Sequence, residues 1–287
     1  MPDALATSSV QPVIQLSSQQ RDAASNSEAG VKMTGFINET IRHQLDHRTI
    51  REFKRQAVDQ EILHLLLQVA NRTASSTCMQ SYSIIQVTEA AKREAIAGVC
   101  RQKYIVRVPV LLVFIVDVYR NARVAAEQGC VLPASRDMDR FFQGFTDASL
   151  AAQNLTLAAE SLGLGAFFIG SILNDADRMI DILKLPELTF PVVGIGLGYP
   201  DQEPTQKPRM DLALKVFENE YRSLDTYLPA IADYDLEMQT YYDLRDPGRP
   251  VDTFSKQVVA RLENAIDKRS QILRSVQRQG FDLGLTD

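Results

Sequence analysis

The stretch "DASLAAQNLTLAAESLGLGAFFIGSILN", Asp147 to Asn174, governs how the rest of the chain is read. Its first half belongs to a longer pattern, Arg140–Leu162, in which Phe145, Ala148, Ala152, Leu155, Ala159 and Leu162 step by three and four. That spacing marks one face of a helix. Leu150, Ala151, Leu157 and Ala158 fill much of the remaining circumference. A helix apolar nearly all round is buried on most sides, and its alanines let neighbours come close. It is the central helix of a core, part of a subunit interface, or both. Gly163 suits the position that stops it, because glycine takes left-handed backbone at little cost. Then "GAFFIG", Gly165–Gly170, is a short apolar run that reads as a strand.

Outward from this unit, two longer apolar runs, Val108–Val118 and Phe190–Tyr199, have the character of strands covered on both faces. Ser83–Thr88 is a shorter strand candidate. "FINETIRHQL" has helical spacing at Phe36, Ile37, Ile41 and Leu45. "VDQEILHLLLQVANRT" is a second helix, with Asp59 as N-cap and Ile62, Leu66 and Val69 on one face. Two helices are expected near the end, Pro229–Asp243 and Thr253–Arg278, with "LRDPGRPVD" between them. Pro229 suits a first helical position, where its missing N–H costs nothing. The last helix would carry a stripe of Val258, Leu262, Ile266, Leu273 and Val276. Residues 1–33 are rich in Ser, Gln, Ala and Asn without periodicity and are expected to form a disordered tail. Residues 34–287 are expected to form a single domain, with a C-terminal helical extension from about residue 222.

Composition narrows the function. The 287 residues carry a net charge of −5, against the dense basic face of a nucleic-acid binder. No apolar run reaches the length of a membrane span. Cys78, Cys100 and Cys130 are an odd count without paired spacing, so they read as free thiols in a reducing compartment. No basic and apolar leader opens the chain, and the expected location is the cytoplasm.

Several familiar signatures fail. "GIGLG" and "GLGAFFIG" lack the third small residue opening a helix that a dinucleotide fingerprint requires; Tyr199 and Phe168 stand there. These glycines more simply allow close packing or close approach of a ligand. His43 and His47 are four apart, but Gln44 follows the first where a zinc protease has Glu, and no metal site is expected. His64, among leucines, reads as a helix-surface residue.

What remains is a set of cations. "HRTIREF", His47–Phe53, and "KPR", Lys207–Arg209, stand out in an acidic chain. Pro208 holds Lys207 extended, so Lys207 and Arg209 point to one side. If "HRTIR" is extended too, His47, Thr49 and Arg51 share a face, with a hydroxyl between two cations. Arg offers bidentate donors and Lys a point charge, a set that suits a phosphate. "TASST", Thr73–Thr77, adds small hydroxyls. Singly, each cation is better explained by a surface carboxylate; together they lean toward an anionic ligand.

The ordered set "HRTIREF", "ASSTCMQSYSII", "RQKY", "DASLAAQNLTLAAESLGLGAFFIGSILN", "LKLPELTFPVVGIGLGYP" and "KPRM" resembles the flavin-dependent nitroreductase superfamily, above all its NADPH-preferring branch of oxygen-insensitive nitroreductases and flavin reductases. The similarity runs from about Gly35 into the tail, through "YYDLR" and "DTFS". It implies an α+β fold, with a mixed, mainly antiparallel sheet flanked by helices, in an intertwined homodimer whose interface holds two FMN molecules. It implies an FMN-dependent NAD(P)H oxidoreductase that works by ping-pong hydride transfer on nitroaromatics, quinones, flavins or similar small-molecule acceptors. NADPH or NADH is the co-substrate, and no catalytic side chain is required.

Carried over by motif, the resemblance assigns His47, Arg48, Thr49 and Arg51 to the FMN phosphate and ribityl chain, with Lys207 and Arg209 reaching the same cofactor. Ser75 and Ser76 would line the flavin with Gln80 nearby, Gln102 and Tyr104 would touch it, and Phe168, Ile169, Gly170 and Ser171 would lie against its ring. Arg245 and Arg249 would serve NAD(P)H. The chain departs from the family pattern at Ser171, where a second glycine is usual, at Thr49 in place of Ser, and at Pro250, where a second basic residue is usual. Cys78 stands where a bulky apolar residue is common and reads as a small packing residue. Two other readings compete: a flavin-handling protein without nicotinamide turnover, and a non-catalytic interaction protein that kept the fold.

Overall fold

Val110–Asp117 (β2) is buried along its whole length, and a four-stranded antiparallel sheet is built around it. Tyr82–Gln86 (β1) pairs with one side of β2, and Thr189–Gly198 (β4) with the other. Gly165–Ile169 (β3) pairs with β4 and closes the order β1-β2-β4-β3. The two apolar runs are thus the central pair, as continuous burial requires. The computed structural model describes residues 37–241, 251–264 and 266–284. The expected tail at 1–33, Phe36, and Arg245 and Arg249 lie outside the described residues. The chain divides between Arg42 and His43 into two units, and Glu39–Leu45 (α1) spans that division.

Met138–Ser161 (α5) is the long helix expected from the opening stretch. Phe141, Ala148, Ala152, Leu155 and Ala159 are buried on it, while Phe142 and Leu150 are exposed. Its stop follows the glycine: Gly163 has φ +74°, its N–H reaches Glu160 O at 3.0 Å, and Leu164 N–H reaches Ala159 O at 3.0 Å. That paired closure satisfies carbonyls the helix end leaves open. Gln60–Asn71 (α2) begins at Asp59, whose side chain accepts from Glu61 N–H as expected. Ala90–Cys100 (α3), Tyr119–Glu127 (α4) and Ala176–Leu183 (α6) complete the layer around the sheet.

The strand glycines serve packing. The side of Gly196 that a Cβ would occupy is filled by the ring of Phe167 on β3.

The C-terminal part departs from expectation in one respect. Pro229 does open its helical segment, which continues as Ala232–Thr240 (α7). The single helix expected over Thr253–Arg278 is instead three: Phe254–Glu263 (α8), Asp267–Ser270 (α9) and Ile272–Arg278 (α10). The break lets Lys268 pair with Asp175, Arg278 with Asp177, and Val276 and Phe281 enter the core. Leu262 and Leu273 remain exposed, so the predicted stripe is not one buried face. Tertiary docking overrode a continuous helical pattern. Among the described residues no helix is long and apolar enough to cross a membrane.

Candidate functional site

"HRTIREF" is extended and lies along β3. Thr49 forms a parallel bridge with Ala166, and Ile50 N–H donates to Ala166 O at 3.0 Å. This is the parallel element beside an otherwise antiparallel sheet. Ile50 is buried over Gly165, where an added Cβ would meet three Ile50 atoms at 2.6–2.8 Å. With Ile50 turned inward, the other face carries His47, Thr49 and Arg51, all half-buried, while Arg48 and Glu52 are exposed. The alternation matches the expected shared face.

The segment after β4 is tied to the same stretch. Gln202 Oε1 accepts from Arg51 N–H at 2.9 Å and Glu52 N–H at 2.6 Å. Asp201 N–H donates to Glu52 O at 3.0 Å, and Gln206 Nε2 donates to Leu45 O at 2.8 Å. So "KPR" enters beside "HRTIR", although the two are far apart in sequence. Lys207 and Arg209 are exposed with Pro208 half-buried between them. Arg209 donates to the carbonyls of Lys207 at 3.0 Å and Pro208 at 3.2 Å. His47 Nδ1 meets Glu160 Oε1 at 2.6 Å, near the C-terminal end of α5.

The same sheet edge carries more of the predicted set. Tyr104 OH donates to Gln102 Oε1 at 2.8 Å, and its ring packs edge-on against Phe167 with centroids 5.4 Å apart. Phe53 meets Phe167 from the "HRTIREF" side at 6.0 Å. Phe168 is the one exposed residue of β3, at 40 %. Gly170–Asp175 then turns in a 3₁₀ helix, and Arg269 of α9 donates to Gly170 O at 3.3 Å. Ser171 Oγ is buried, faces the thiol of Cys100, and has no nitrogen or oxygen partner among the described residues. Burial pushes that thiol up to about 11, with the Ser171 hydroxyl opposing.

Ser75, Ser76 and Gln80 lie elsewhere. Ser76 N–H donates to Asp147 Oδ1 at 2.8 Å. Arg120 donates to the carbonyls of Gln80 and Tyr82, and Asn121 Nδ2 to Met79 O and Ser81 Oγ, both at 3.0 Å. Thr77, Cys78 and Gln80 have φ of +48°, +59° and +51°. Left-handed backbone at a non-glycine residue costs about 1–2 kcal/mol, so this loop is held against its own preference. Burial first, then the charge of Asp147, pushes the Tyr82 phenol up, with Arg120 opposing. Asp147 and Glu160 both belong to α5. At 1.5 Å per residue their anchor points are about 20 Å apart along the axis.

The chain therefore brings His47–Arg51, Gln102, Tyr104, Phe168–Ser171 and the Lys207–Arg209 segment to one sheet edge. It leaves Ser75, Ser76 and Gln80 about 20 Å away, beside Asp147 in the N-terminal half of α5. A groove of about 640 Å³ runs beside the first group; of the predicted residues it includes only Arg48, together with His43 and the carboxylates of Asp46, Glu160 and Glu203. Charge gives it no preference for an anion. No three His, Cys, Asp or Glu side chains among the described residues group as metal ligands. His64 is exposed on α2 beside Gln68. Gln202, Glu160, Asp147, Arg120 and Asn121 went unnoticed in the sequence. An acid in the midst of the alanine-rich, otherwise apolar part of a helix, Asp147, was the one visible signal among them.

The family model described as "Nitroreductase family" matches residues 45–199, and "Nitroreductase family, C-terminal domain" matches residues 207–284. The NADPH-flavin oxidoreductase of Vibrio harveyi is 34 % identical over 247 residues, covering 85 % of this chain and 99 % of that protein. The FMN reductase (NADPH) of Bacillus subtilis (strain 168) is 31 % identical over 249 residues, covering 86 % and 99 %. The solved structure of B. megaterium NfrA2 superposes with a TM-score of 0.80 at 32 % identity, covering 87 % of this chain and all of that one.

Proposed function

The chain belongs to the nitroreductase family, and from that premise we propose that it is an FMN-dependent NAD(P)H oxidoreductase of the nitroreductase and flavin reductase type. The observation that carries the reading is the half-buried face of His47, Thr49 and Arg51, docked on β3 beside the Lys207–Arg209 segment. Cations and a hydroxyl on one face match the phosphate and hydroxyls of FMN. One further feature fits this cofactor: Phe168 presents an exposed apolar ring on β3.

When bound, FMN supplies the hydride chemistry. The residues of this chain bind and orient. Arg51, Lys207 and Arg209 would hold the phosphate end, and Thr49 would add a hydroxyl. Glu160 fixes the His47 ring through the 2.6 Å contact. The turn from Phe168 to Ser171, steadied by Arg269 at Gly170 O, would lie against the ring system. An exposed Phe168 edge leaves room for varied flat acceptors such as nitroaromatics, quinones and flavins.

The assembly we propose is a homodimer. One chain separates the Ser75–Gln80 group from the His47–Arg51 group by about 20 Å along α5. A second copy can supply the missing group to each site, and the exposed Phe142 and Leu150 of α5 give it apolar surface to bury. Three free cysteines suit a cytoplasmic setting. Arg245 and Arg249 remain the proposed grip on the 2′-phosphate of NADPH.

The test is direct. Purified protein should be yellow, with stoichiometric FMN released on denaturation, and NADPH should bleach it without oxygen. Colourless protein that takes up no added FMN would overturn the reading.

A further inference from the structure

Asp147 is only 2 % exposed, in the middle of α5 among buried alanines. Among the described residues only one of its oxygens is used: Oδ1 accepts from Ser76 N–H at 2.8 Å, and Oδ2 is buried without a hydrogen-bond partner. A buried carboxylate with a single hydrogen bond is a poor way to stabilise a helix. What Asp147 does is hold the entry of a loop. Gly144, one turn earlier on α5, brings the helix flush against that loop, since a Cβ there would meet Ser81 O at 2.5 Å.

The exit of the loop is held from α4. Asn121 Nδ2 donates to Met79 O and Ser81 Oγ, and Arg120 reaches Gln80 O and Tyr82 O. Arg120 is itself braced by Asp117, whose other contacts include Ser83 Oγ at 2.5 Å. Between these anchors Thr77, Cys78 and Gln80 keep left-handed backbone. Unanchored, such residues return to ordinary backbone regions, and the hydroxyls of Ser75 and Ser76 move with them.

We propose that Asp147, with Arg120 and Asn121, is a positioning residue: it fixes the Ser75–Gln80 loop in the strained shape that presents Ser75 and Ser76 to the flavin. The proposal rests on the FMN reading above and adds to it residues that act through the backbone of the loop. Asp147 acts through the Ser76 amide.

The experiment compares holoprotein of wild type, Asp147→Ala and Asp147→Asn. Dissociation of FMN is read by flavin fluorescence, and the setting of the ring by visible circular dichroism. Asp147→Ala should weaken FMN roughly tenfold, the factor for losing one hydrogen bond to a charged group, and should alter the visible spectrum. Asp147→Asn keeps an acceptor for the Ser76 N–H and should restore both. A merely structural role would lower the melting temperature of both variants and leave the bound-flavin spectrum alone. If Asp147→Ala does not fold, Asn121→Ala, which frees the loop exit at the surface, carries the same two readouts. Wild-type affinity and spectrum in the folded variants would overturn the proposal alone. Wild-type protein that binds no FMN would overturn the FMN reading and this proposal with it.

Discussion

Asp147 and Glu160 stand on the same face-to-core helix, yet each holds a different half of the candidate site: Asp147 the Ser76 amide, Glu160 the His47 ring. About 20 Å of helix lies between them, so one chain does not assemble the whole set. The holoprotein should therefore sediment as a dimer, and dilution into the monomer range should release FMN. A monomer that keeps its FMN at nanomolar concentration would show that the two halves act separately.

Gly165 sets how closely "HRTIREF" lies on β3. Gly165→Ala places a methyl against the Cβ, Cγ1 and Cγ2 of Ile50, atoms that cannot swing away. Calorimetry should show a loss of about 1–3 kcal/mol, accompanied by faster FMN release as His47, Thr49 and Arg51 are displaced. Gly98→Ala is the contrast: it lies in α3 with nothing within 4 Å and should gain about 0.5–1 kcal/mol.

Arg209 makes only hydrogen bonds to its own segment's carbonyls among those described above, and its assigned role is with the phosphate. Arg209→Ala should weaken FMN by roughly tenfold or more while leaving the melting temperature of flavin-free protein near wild type. FMN affinity equal to wild type would remove Arg209 from the site.

Cys100 is buried and its thiol is pushed up to about 11. The folded chain thus keeps a proton that the unfolded chain loses from roughly pH 9 upward. The contribution is fully present below that pH and is lost as pH rises toward the folded value, on the order of 2–3 kcal/mol in all. Urea titrations at pH 8 and 11 should show this extra fall, and Cys100→Ala should lack it. A thiol reagent at pH 8 should reach Cys100 only on unfolding.

The predicted cofactor set mixes two kinds of information. His47, Thr49 and Arg51 were legible as one face because alternation in an extended segment is local. That Ile50 seats under Gly165, or that Gln202 accepts from both Arg51 and Glu52, is not: those partners are about a hundred residues or more away, and no local pattern specifies them. The continuous pattern over Thr253–Arg278 misled for the same reason, since docking of Lys268, Arg269 and Arg278 decided where the helix breaks.

The sequence by itself determined the elements. The periods of α5 and of the two central strands are properties of neighbouring residues, and the expected strand Val108–Val118 differs from the observed Val110–Asp117 by two residues at most. Tertiary structure alone decided which predicted residues lie together. It laid "HRTIREF" and "KPR" along one sheet edge, set Ser75 and Ser76 beside Asp147 in the N-terminal half of α5, and left Asp147 buried with one bond. Those outcomes depend on how a rigid helix and a twisted sheet pack in space, and residues 71 apart in sequence, as Ser76 and Asp147 are, meet only when that packing is complete.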